Sequence, residues 1–70
     1  MVVYSKPSCA PCATVKYMLN KLNVEYEEKD VTDPIYYDEL IKYANSVPVV
    51  VEGDRVVVGP NLTAIKALVL

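Results

Sequence analysis

The sequence predicts an α/β domain built on a four-stranded mixed sheet flanked by helices, and three observations predict it. β-favouring runs alternate along the chain with apolar residues at helical spacing; two valine-rich runs are joined by Gly53-Asp54; and Cys9 and Cys12 stand where the first strand-like run gives way to the first helical pattern. At 70 residues, 53% hydrophobic and 23% charged, the chain has the balance of a packed globular protein. Folding hides only about 60% of the open-chain surface at this size, so one domain over residues 1–70 is expected. A net charge of −2 lacks the basic footprint that phosphate backbones and anionic membranes select, which argues against nucleic acid and lipid as partners. Met1 to Lys6 lack the basic start and long apolar stretch of a signal peptide, and no apolar run approaches the ~20 residues that span a bilayer. The expectation is a cytoplasmic monomer.

Taken in order, Val2, Val3 and Tyr4 predict a buried strand at residues 1–5, ended by Lys6-Pro7-Ser8. Val15, Met18, Leu19 and Leu22 recur at three-and-four spacing and predict a helix from about residue 10 to 22. Val24 to Val31 is charged, with Val24 and Tyr26 alternating, as in a strand near a sheet edge. Thr32-Asp33-Pro34 offers a capping side chain before a proline at the first helical position, so a second helix is expected over about 34–44, with an apolar face of Tyr36, Leu40, Tyr43 and Ala44. Pro48 to Glu52 and Arg55 to Val58 form a hairpin around Gly53-Asp54. Gly59-Pro60-Asn61 then leads into a last helix marked by Leu62, Ile65, Leu68 and Val69 and reaching the C-terminus. The order βαβαββα, with a right-handed crossover making the first two strands parallel, is the minimal thioredoxin-like fold. Val2, Val3 and Val49 to Val51 read as continuous apolar runs because central strands are buried on both faces.

A bridge between Cys9 and Cys12 closes so short a loop that it makes a poor structural staple, so the pair reads as redox or metal chemistry. Zinc sites need about four ligands, and the chain has two cysteines and no histidine, which favours redox chemistry and no metal. Cysteines three apart on a helix share one face, close enough to bridge reversibly. At a helix start, unpaired N–H groups and the helix dipole favour a thiolate, which makes Cys9 the expected nucleophile. A thiol shifted from about 8.5 to below 7 becomes mostly thiolate at neutral pH. Cys12, a turn deeper, remains a thiol until a mixed disulfide forms, then attacks the Cys9 sulfur and frees the substrate. Lys6 either adds positive charge near that thiolate or is a solvated surface lysine. Pro11 fits the first helical turn because it has no N–H to lose. Val47-Pro48 stands where a cis bond can sit, although about one X-Pro bond in twenty is cis, and a trans proline opening a strand is the ordinary alternative. With a cis bond, the Val47 backbone faces Cys9 and can pair with an extended substrate.

Tyr4-Ser5-Lys6-Pro7-Ser8-Cys9-Ala10-Pro11-Cys12, with Ser46-Val47-Pro48 and Gly59 downstream, resembles the glutaredoxin family in an order covering essentially the whole chain. The resemblance implies thiol–disulfide exchange, a cis proline at Pro48, and a glutathione site using Lys6, the residue before Cys12 (here Pro11), Val47 and a polar cap after the last strand, near Gly59 and Asn61. Glutaredoxins commonly have tyrosine where this chain has Pro11, and Gly-Gly with Asp where it has Val58-Gly59 and Asn61; Asn61 can cap a helix but brings no negative charge to a glutathione amino group. The short chain and its valine hairpin also resemble the glutaredoxin-like redoxins that supply electrons to ribonucleotide reductase and are recharged by thioredoxin reductase. Implied partners are a disulfide-containing protein substrate and either glutathione or thioredoxin reductase as electron source, with no tightly bound cofactor. The competing reading is a non-catalytic iron–sulfur or redox-sensing module using the same cysteines. Tyr36, Tyr37 and Tyr43 read as packing and surface residues, and Asp30, Asp33, Asp38 and Glu39 as a solvated face or helix-start charges.

Overall fold

The computed structural model describes residues 1–69 and contains seven elements: β1 (Val2–Ser5), α1 (Ala10–Lys21), β2 (Glu27–Asp30), α2 (Pro34–Leu40), β3 (Val49–Glu52), β4 (Arg55–Val58) and α3 (Leu62–Val69). The strands form one sheet in the order β2-β1-β3-β4. β1 runs parallel to β2 with Val2 opposite Glu27, and antiparallel to β3 with Val3 opposite Val50, while β3 and β4 form the antiparallel hairpin. This is the expected βαβαββα mixed sheet.

Strand alternation divides the core in two. Val3 and Val50 point to one face and pack with Val15 and Leu19 of α1 and Ile65 of α3, all with no exposed surface. Tyr4 and Val49 point to the other face and pack with Leu40 of α2. The central strands are therefore clothed on both sides, which is why their sequences read as unbroken apolar runs.

The helix ends follow from particular residues. α1 opens on Cys9 in an extended conformation, with Pro11 in its first turn. It closes at Asn23, whose φ of 56° lies in the left-handed region that asparagine tolerates, and the N–H groups of Asn23 and Val24 bond to the carbonyls of Asn20 and Leu19. Val24 then packs against the cluster containing Leu19. That closure corrects the expected strand at 24–31: Val24 and Tyr26 pack as a connection, and β2 spans only Glu27–Asp30. α2 opens on Asp33, whose carboxylate accepts the Ile35 N–H at 2.9 Å. Asp33→Ala is expected to cost about 1 kcal/mol, read as a lower urea midpoint with unchanged slope.

α2 stops at Leu40, four residues short of the expected 44. Lys42 and Tyr43 bond three residues back, to Glu39 and Leu40, so the chain tightens out of the α-helix. Its expected apolar face is realised only in part, with Leu40 buried, Tyr36 and Ala44 half-buried and Tyr43 exposed. The expectation that α3 reaches the C-terminus at residue 70 lies outside the described residues.

Candidate functional site

The loop between β1 and α1 carries the cysteines to the end of the central strand. Ser8 turns the chain there with φ 59°, a conformation L side chains rarely adopt, and Cys9 follows as the N-cap of α1. Cys9 and Cys12 are joined in a disulfide with Cα atoms 5.2 Å apart. The Cys12 N–H donates to the Cys9 sulfur at 3.2 Å, so this sulfur occupies the place where a serine or aspartate side chain would cap a helix. The Cys9 carbonyl accepts the Ala13 N–H at 3.0 Å. Cys12 has no exposed surface, whereas Cys9 is half-buried and borders an open cleft. The two sulfurs thus differ in access as their order along the helix predicts, and the outer one alone faces a visitor.

The cleft holds about 550 Å³ between the start of α1 and α2. Lys6, Pro11 and Val47 line it, together with Thr32, Tyr37 and Leu40. The Val47-Pro48 bond is cis, and Pro48 is fully buried behind the lining, where its carbonyl accepts the Gly59 N–H at 2.8 Å. Gly59 adopts φ 86°, a left-handed conformation suited to glycine. Neither Pro48, Gly59 nor Asn61 lines the cleft, and the Asn61 side chain is occupied by its own helix, accepting the Ala64 N–H at 3.1 Å. Of the six residues expected to bind substrate, three therefore reach the cleft and three support or flank it. The carbonyl of Asn61 is likewise internal, accepting the Ile65 N–H.

The sequence reading did not place Thr32, Tyr37 and Leu40 at the site. All come from the segment containing α2, and only the pairing of α2 with the α1 end of the sheet brings them to Cys9. Glu39 also departs from the solvated role expected of it. Its Oε1 accepts the Tyr4 hydroxyl at 2.9 Å and the Lys29 ammonium at 2.8 Å, binding α2 to β1 and β2. The Lys29 ammonium stands 5.8 Å from the Tyr4 ring centre and 5.4 Å from that of Tyr36, and the Tyr43 ring lies 6.0 Å from Tyr4. This network holds one wall of the cleft.

Burial, followed by the bond to Glu39, pushes the Tyr4 hydroxyl up to about 12. The Lys29 and Tyr4 hydrogen bonds hold Glu39 below the usual carboxylate range, and the Glu39 bond raises Lys29. Asp30 is also lowered, by bonds from the Thr32 N–H and then its hydroxyl. A depressed carboxylate stabilises the fold above its unfolded pKa of about 4 and loses that contribution as pH falls through the folded value. A raised tyrosine stabilises below about 10 and loses that contribution as pH rises toward the folded value. Stability is expected to fall at both extremes; Glu39→Gln flattens the acid limb and Tyr4→Phe the alkaline one, in urea midpoints measured from about pH 3 to 11.

A βαβαββα sheet with a Cys-x-x-Cys disulfide at the mouth of its first helix defines a redox protein of thioredoxin-like fold. The chain belongs to the glutaredoxin family, whose pattern it matches over residues 1–57. It is 41% identical over 54 residues to the Gene 56 protein of Mycobacterium phage L5, covering 73% of this chain and 52% of that protein. With the Gene 56 protein of Mycobacterium phage D29 the identity is 34% over 55 residues, covering 73% and 60%. The match thus spans little more than half the length of these phage relatives. Among solved structures, the thioredoxin-like protein BC3987 superposes with a TM-score of 0.82 at 36% identity, covering 96% of each chain. A single-site variant of it gives 0.84 at 35%, covering 99% of this chain and 97% of that one. Among the described residues no helix is long and apolar enough to cross a membrane, and no group of three or more His, Cys, Asp or Glu side chains is placed to hold a metal.

Proposed function

We propose that this protein is a dithiol reductase of protein disulfides. The observation that carries the reading is the capping position of the Cys9 sulfur, which receives the Cys12 N–H at 3.2 Å and borders the cleft. In the reduced protein that N–H and the dipole of α1 favour the Cys9 thiolate. The thiolate attacks one sulfur of a substrate disulfide, forming a mixed disulfide as the other substrate sulfur leaves and takes a proton from solvent. Cys12 then loses its proton and attacks the Cys9 sulfur, closing the Cys9–Cys12 bond and expelling the second substrate thiol. Two electrons pass from the chain's dithiol to the substrate, and the bridged form is the oxidised product of the cycle.

Val47 serves as the docking strand for the substrate backbone: it lines the cleft, and its N–H and C=O have no backbone partner among the described residues. Lys6 draws an anionic group of the visitor to the same mouth. Recharging requires a two-electron donor, either glutathione or a flavoprotein thioredoxin reductase. The absence of a carboxylate from the cleft lining favours the reductase, and with it a role in supplying electrons to ribonucleotide reductase.

The test is a single-turnover reaction of the reduced protein with a disulfide-bonded protein, followed by recharging assays with each donor. Each chain is expected to open one substrate disulfide and lose two hydrogens by mass. A protein that opens none, or one purified anaerobically with the visible absorption of an iron–sulfur cluster, overturns the assignment.

A further inference from the structure

The three tyrosines in and after α2 have divided roles. Tyr36 faces the Lys29 ammonium and Tyr43 the Tyr4 ring, so both belong to the network that anchors the helix. Tyr37 lines the cleft instead, 47% exposed, with no hydrogen-bond partner for its hydroxyl among the described residues. One turn further on, Leu40 is buried and contributes to the same lining, and Pro11 and Val47 complete an apolar slot. Lys6 is the single formal charge in that lining, which contains no carboxylate. A visitor's ammonium group would find no partner there, whereas a large apolar side chain would remove a half-exposed ring from water.

We propose that Tyr37 is a specificity-determining residue, and that the slot receives a large apolar side chain next to the cysteine of an incoming protein segment. The inference rests on the reductase reading of the Cys9 site and names the substrate class of that site. An extended segment with its cysteine at Cys9 projects neighbouring side chains into the walls around it, and the wall toward α2 carries Tyr37 and Leu40, with Thr32, Asn45 and Ser46 as its polar rim. The occupant is thus a protein segment bearing phenylalanine or leucine beside its disulfide.

Two disulfide-linked peptides differing only in Phe or Ser beside the cysteine provide the probe, with hydroxyethyl disulfide as a substrate that lacks a flanking side chain. The unaltered protein is expected to reduce the Phe peptide with about tenfold higher kcat/KM than the Ser peptide. Tyr37→Ala brings that ratio below about two, Tyr37→Phe preserves it, and Tyr17→Ala, which removes an exposed tyrosine outside the cleft, leaves it unchanged. A ratio near one in the unaltered protein, or a ratio that survives Tyr37→Ala, overturns the proposal. Failure to reduce any of the three disulfides would instead remove the reductase reading on which it stands.

Discussion

Replacing Cys9 with serine is expected to lower turnover of a disulfide substrate by about a thousandfold or more, equivalent to about 4 kcal/mol of lost transition-state stabilisation. The hydroxyl that takes its place is not ionised at neutral pH, so a helix start that favours a sulfur anion has nothing to act on. Cys12→Ser has a different signature. The first attack survives because the Cys9 sulfur still borders the cleft, but the internal thiol that would release the substrate is gone. Covalent adducts should accumulate and run as a shifted band on a non-reducing gel that collapses with reductant. The two variants together distinguish the order of events: interchangeable behaviour, or full turnover by Cys9→Ser, would remove the assigned roles.

Leu19→Ala is expected to produce the largest loss of stability of any single truncation in α1. Leu19 has no exposed surface and packs among Val3, Val15, Val50 and Ile65, where the two central strands meet two helices. Removing its side chain costs about 2–5 kcal/mol, as transfer energy plus the cavity left behind. A domain of this length holds about 4–10 kcal/mol in total, so the variant approaches unfolding at physiological temperature. Tyr17→Ala, two positions earlier on the opposite face and 62% exposed, should stay within about 0.5 kcal/mol. Urea unfolding of the pair checks this, and equal losses would show that the helix has been assigned the wrong face.

The central strands, the hairpin and the opening of α1 were legible because each is specified locally. Val49 to Val51 and Arg55 to Val58 flank a Gly-Asp turn, and Pro11 follows a capping position. The end of α2 was not, since Tyr43 and Ala44 continue the helical spacing although the backbone at Lys42 and Tyr43 has tightened to three-residue bonds. Nor was the role of Glu39. Its partner Lys29 lies ten residues away on an edge strand and Tyr4 thirty-five away, and no local pattern marks a pair formed by packing a helix over a sheet. The same reason hid Tyr37. Two adjacent tyrosines look equivalent in a sequence, but the 100° between neighbours on a helix sends one to the ammonium group and the other to the cleft.

The two open margins of the sheet are chemically unlike. One presents Glu27, Glu28, Lys29 and Asp30, a row of charges that repels a stranger's backbone; the other presents Arg55 and three valines, with Val56 and Val58 substantially exposed. Lateral association in concentrated solution is therefore expected to enter at β4, where Arg55 is the one charged side chain of the strand and its guanidinium donates to the Ala67 carbonyl of α3. Colloidal stability can accordingly be adjusted at Val56, with a lysine there, at a site that is not part of the redox cleft.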